Sequence, residues 1–139
     1  MQKRNQTKKG LDKNMVQLIR ALNSFPGIET FTSCGGHPNP SACQWPEGTF
    51  FVGFNVAWNE DGRLALEFLA WFVNGYLDTK TKGGVRLLPF SAPPYLNCPG
   101  ECLHFALEGR ADPVEIGEEL KDTKKKLFGR SVWGCEPRD

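Results

Sequence analysis

No apolar stretch in the 139 residues approaches the roughly 20 that cross a bilayer, and the opening MQKRNQTKKG holds no apolar leader. These absences exclude a helical membrane span from the expectation and make the reading a cytoplasmic chain without a membrane partner. The five cysteines are an odd number in a chain with no secretory signature, which argues against a disulfide framework and predicts free thiols. Histidine is scarce, at two residues. No Lys or Arg lies between Glu29 and Glu60, so a thiol in that stretch has no neighbouring cation in sequence to favour its thiolate.

What is present suits one globular domain: 40% apolar residues, 24% charged, and a length that buries a modest core. The expected organisation is a basic arm at 1–10, a domain at 11–129 and a tail at 130–139. Charge is unevenly spread. Residues 1–20 carry six basic side chains against Asp12, and residues 121–139 carry six against three acids. The hundred residues between them hold five bases and twelve acids, a net of −7. Basic ends suit a polyanion, since Lys and Arg displace phosphate counterions, although solvated helix ends look the same in a sequence.

Hydrophobic spacing predicts the elements. Met15, Leu18, Ile19 and Leu22 form a helical stripe within 11–23, and Pro26-Gly27 stops it. Residues 28–33 read as a strand. Phe50, Val52, Phe54 and Val56 alternate with Thr49, Phe51, Gly53 and Asn55 in a second strand, 49–57. Asn59 is placed to cap a second helix bearing Leu64, Phe68, Leu69, Phe72, Val73 and Tyr76. Strands over 85–89 and 102–108 follow. A last helix opens at Asp112-Pro113-Val114-Glu115 and ends in Lys124–Lys126 and Gly129. The order αββαββα predicts an α/β, two-layer α+β sandwich, with a mainly antiparallel four-stranded sheet covered by helices on one face.

Both hairpin connections are about a dozen residues long, where two to five is usual, and such loops are often functional. The first holds Cys34, Gly35, Gly36, His37 and Cys43, and the second Cys98, Cys102 and His104. Either trio offers zinc-ligating residue types: Cys34, His37 and Cys43, or Cys98, Cys102 and His104. The connection lengths put the two loops at opposite ends of the sheet, so one shared site would need a dimer. Cys34 beside His37 also suggests an activated nucleophile, but no orienting third residue can be picked. Gly35-Gly36 permits positive φ and backbone amides aimed at a phosphate, a carboxylate or a base edge. Trp45, Phe90 and Tyr95 are candidates either to stack on a flat ring or to lid the core.

Lys9-Gly10-Leu11-Asp12, a helix ending Ala21-Leu22-Asn23, then Thr30 and Ser33-Cys34-x-Gly36 resemble the N-terminal segment of the wybutosine-synthesis methyltransferases. The likeness covers residues 8–37. It departs at Thr32, where the family has serine, and at His37, where it has arginine. It implies S-adenosylmethionine as cofactor, an RNA partner, and a ligand pocket that includes Ser33, Cys34 and Gly36 flanked by Lys9 and Asp12. The leading expectation is a ligand site at Lys9, Asp12, Ser33, Cys34, Gly35, Gly36, His37 and Trp45 for a nucleotide-like or nucleobase-like molecule. Its enzymatic version is an RNA-modifying methyltransferase. The alternatives are a non-catalytic interaction module, with a homodimer as one form of it, and a zinc protein. The residues do not name a reaction.

Overall fold

A computed structural model describes residues 11–77, 84–90 and 102–128. The 1–10 arm, the 130–139 tail, Lys9, Tyr95, Cys98 and Gly129 lie outside the described residues. A 3-10 turn, Lys13–Met15, leads into α1, Val16–Asn23. Then come β1 (Ile28–Cys34), β2 (Phe50–Ala57), α2 (Glu60–Trp71), a π-turn over Phe72–Leu77, β3 (Val85–Pro89), β4 (Cys102–Gly109) and α3 (Pro113–Phe128). The four strands pair antiparallel in the order β1-β2-β4-β3. This is the expected αββαββα sandwich.

The strand alternation sets the layers. Val52 pairs with Leu107 and Phe54 with Phe105, and these residues, with Phe50 and Val56, face the helices. Met15, Leu18, Ile19 and Leu22 from the first helical segment meet Ala65, Phe68 and Leu69 of α2, and Ile116 and Leu120 of α3, in one core. The expected cap is present: the Asn59 side chain accepts the Gly62 N–H at 3.0 Å, freeing α2 from one unsatisfied donor. Asp112 accepts the Val114 N–H at 3.0 Å and starts α3 in the same way. Near the far end of α3, Lys124 Nζ donates to Ser24 O at 3.1 Å and lies 4.7 Å above the Phe25 ring. A cation therefore meets the carbonyl end of α1, where the helix dipole favours it, although partial burial lowers the Lys124 pKa.

The second face of the sheet is covered as well. All eight residues of β2 are buried. On that face Trp45 stacks on Phe51 at 5.0 Å, Phe90 meets Phe51 at 5.3 Å, and Phe31 meets Phe90 at 5.7 Å. Beneath them the fully buried Asn55 donates to Glu29 Oε1 at 3.4 Å, and its Oδ1 lies 2.9 Å from His104 Nδ1. A buried carboxamide must be bonded on both of its ends, and this one is.

The cysteine expectation needs a correction. Cys34 and Cys43 are free, but Cys102 is disulfide-bonded to a cysteine outside the described residues. Five cysteines leave room for as many as two bridges, and only the fold decides which thiols meet. A bridged Cys102 cannot serve as the thiolate ligand proposed for the Cys98, Cys102 and His104 set.

β1 is an edge strand, and α1 covers its open side. Thr30 N–H donates to Asn23 Oδ1 at 2.9 Å while Asn23 Nδ2 donates to Thr30 Oγ1 at 3.0 Å. The pair satisfies a backbone donor that β2 does not reach, as a sheet edge requires. Replacing Asn23 with Ala should cost about 1–3 kcal/mol by removing both hydrogen bonds that Asn23 makes to the buried Thr30. Urea unfolding is the check: the midpoint should fall while the slope stays unchanged.

Candidate functional site

β1 ends by running under the start of the first helical segment, and one peptide joins them. Gly35 N–H donates to Asp12 Oδ2 at 2.7 Å, and Gly35 O accepts from Asn14 Nδ2 at 3.0 Å. Two side chains spaced i, i+2 at the helix entrance thus satisfy both main-chain polar groups of one buried residue. A Cβ on Gly35 would stand 1.9 Å from Asn14 Oδ1, so no larger residue fits while the clamp is closed. Gly36 then turns the chain with φ +93°, a left-handed conformation open mainly to glycine.

That turn brings three chemical groups together. Asp12 Oδ2, the Cys34 sulfur and an imidazole nitrogen of His37 all lie within 4.8 Å of one another. The carboxylate is 3.3 Å from His37 Nε2, and both side chains are about 29% exposed. Cys34 is buried. Trp45 fixes this group through its backbone: its carbonyl accepts the His37 N–H at 2.8 Å, and its own N–H donates to Cys34 Sγ at 3.3 Å. The loop from 35 to 49 is therefore held by its main chain across the thiol and the imidazole.

Beside the turn is a cavity of about 400 Å³ lined by Asn14, Gly35, Gly36, Glu47, Gly48, Thr49, Ala111, Asp112 and Pro113. Its polar side chains are the carboxamide of Asn14, whose Nδ2 is taken by Gly35 O, the Thr49 hydroxyl and two carboxylates. The only ionisable ones are the carboxylates of Glu47 and Asp112. The Gly36 N–H bonds to no group among the described residues.

The residues expected at the site divide into three sets. Gly35 and Gly36 line the cavity, while Asp12, Cys34 and His37 cluster next to it. Ser33 sits within β1 opposite Val52, and Trp45 is committed to stacking on Phe51, acting as a lid on the sheet. Cys43 is exposed and outside the cluster, its expected place in the Cys34, His37 and Cys43 trio being taken by Asp12. The amide of Gly35 is spent on Asp12, leaving that of Gly36 for a ligand. Asn14, Glu47, Thr49 and Asp112 escaped the sequence reading. Asn14 alone left a signal, as a second short polar residue two places after Asp12 at a helix start.

A second cavity, of about 470 Å³, lies at the opposite end of β2 between Trp58, Leu66 and Leu103. It is apolar apart from Arg63, Glu60, Glu67 and Asn59 at its rim.

A Cβ at Gly36 would approach Thr49 O to 2.6 Å, whereas one at Gly48, also at positive φ (+87°), would meet nothing within 4 Å. Gly48→Ala should therefore cost about 1 kcal/mol of backbone strain, and Gly36→Ala about 2–3 kcal/mol because contact adds to strain. Equilibrium denaturation of the two variants side by side measures the difference. Compared with known proteins, the chain finds no match among family models, curated sequences or solved structures.

Proposed function

We propose that this domain binds a nucleobase-like or nucleoside-like small molecule in the cavity beside Gly36. The observation that carries this reading is the cavity's chemistry. A positive-φ glycine whose N–H bonds to no described group lines it beside two carboxylates, in a space at the lower end of the range for small-molecule sites. Glu47 and Asp112 would repel a phosphate, and among the described residues no Lys or Arg lines the wall. The same carboxylates suit donors: ribose hydroxyls, exocyclic amino groups, or the ammonium of an amino acid. Of the ligands considered from sequence, a base edge or an adenosyl group fits this pattern, and an inorganic anion does not.

Two further facts favour S-adenosylmethionine and an RNA substrate as the enzymatic form of the reading. Residues 8–37 resemble the wybutosine-synthesis methyltransferases, and the segment that carries the likeness builds both the clamp and the turn. α1 and α3 also pack together, with Gly117 of α3 against Leu18 of α1 and Lys124 against Ser24. The two basic ends of the sequence thus meet on adjacent helices, where Lys13, Arg20, Lys121, Lys125 and Lys126 are exposed. Such a surface gains affinity for a phosphate backbone by counterion release.

Thermal unfolding with S-adenosylmethionine, S-adenosylhomocysteine, adenosine and the common nucleotides is the direct test, run with a chelator present. At a hundred times its dissociation constant a true ligand stabilises by about 2.7 kcal/mol. The uncharged or cationic adenosyl compounds should shift the transition more than the triphosphates. Glu47→Ala should leave the transition of the free protein unchanged and weaken the ligand about tenfold, the loss of one charge-assisted hydrogen bond. No shift with any of these compounds would refute the proposal and favour a non-catalytic interaction module.

A further inference from the structure

We infer that Asp12, Cys34 and His37 hold one zinc ion next to the proposed ligand cavity. Zinc takes thiolate, imidazole and carboxylate ligands, and three protein ligands with one open position is its reactive arrangement. The donor set argues for this metal in particular. A sulfur and an imidazole disfavour magnesium and calcium, which take oxygen.

The geometry is nearly formed. The Asp12 Oδ2 to His37 Nε2 separation is 3.3 Å, the edge of a tetrahedron whose metal bonds are about 2.0–2.1 Å. The sulfur is within 4.8 Å of both, so a small inward movement of one thiol completes the set. The surrounding bonds are those that a metal site uses to orient its ligands. The Trp45 N–H points at Cys34 Sγ at 3.3 Å, and the Gly35 N–H holds Asp12 Oδ2 at 2.7 Å. Asp12 comes from the helix entrance and Cys34 from the end of β1, while His37 follows the Gly36 turn and is held by the Trp45 carbonyl. Gly35 and Gly36, which join Cys34 to His37, also line the cavity, so a fourth ligand could come from a bound small molecule or from water.

This site is neither of the trios expected from sequence. Cys43 is exposed and outside the cluster, and Cys102 is oxidised. It also stands apart from the nucleoside reading, because metal uptake is measured without any other ligand.

The test is cobalt substitution of the chelator-stripped full chain, followed by zinc displacement and elemental analysis. One equivalent of cobalt should give a thiolate-to-cobalt charge-transfer band and the intense visible bands of four-coordinate cobalt. One equivalent of zinc should abolish both. His37→Gln and Asp12→Asn should each weaken zinc at least about tenfold, Cys34→Ser should remove the charge-transfer band, and Cys43→Ser should change nothing. Uptake below about 0.1 equivalent by the wild-type chain would overturn the inference, as would a band that survives Cys34→Ser or is lost in Cys43→Ser. The exposed positions His37 and Cys43 keep the test decisive even if the buried Cys34 cannot be replaced without unfolding.

Discussion

The Gly35 peptide, gripped by Asp12 on its N–H and by Asn14 on its C=O, is the constraint on which the rest of the site depends. It ties residues 23 and 21 positions apart, at the point where the chain leaves its edge strand. Without it β1 would end in a long connection with few apolar side chains to anchor it: every residue from Pro38 to Gln44 is exposed. With it, Gly36 must turn left-handed, His37 comes back beside Asp12, and the Trp45 backbone closes over the thiol. One carboxylate oxygen thus orders the turn and completes the functional cluster. The half-buried carboxylate needs a donor and finds the Gly35 amide, with the imidazole of His37 3.3 Å away.

The sheet supplies the platform on which that turn rests. An antiparallel sheet with helices on one face ordinarily leaves the other face to water. Here Phe31, Phe51, Phe90 and Trp45 cover it, over a Glu29–Asn55–His104 chain that links β1, β2 and β4. Trp45 belongs to both structures. Its ring seals the second face while its peptide holds Cys34 and His37, so the position of the functional loop is set by apolar burial. Its side chain is therefore structural, although an aromatic in a loop beside a glycine pair reads as a base-stacking platform.

The layers of the fold were legible because they depend on periodicity. Met15, Leu18, Ile19 and Leu22 at helical spacing, and the Phe50-to-Val56 alternation, each name a buried face without reference to any distant residue. Asn59 and Asp112 were legible as caps for the same reason, since a cap acts within three residues of itself. The site was legible only where chemistry sat inside one short segment, as in Cys34-Gly35-Gly36-His37. Asp12 entered through its likeness to a family motif, and its partner was invisible because the bond spans 23 residues. Asn14, Glu47 and Asp112 join the cavity from three separate elements, and no local pattern marks that meeting. Cys102 failed in the same way: pairing is a property of the fold, and composition alone predicted a free thiol.

Using the same contacts to close the fold and to build the site has a thermodynamic consequence. A ligand that binds only when Asp12, Cys34 and His37 are assembled adds its binding free energy to the stability of the α1–β1 junction. The junction is also the covered edge of the sheet, where Asn23 and Thr30 are locked together. Occupancy by such a ligand and protection of this covered edge would therefore rise together. In that arrangement a ligand acts on the fold at the point where the chain's own apolar burial is thinnest. The cluster accordingly sits at the end of an edge strand, where binding changes stability most, while the buried β2–β4 centre is already held from both faces.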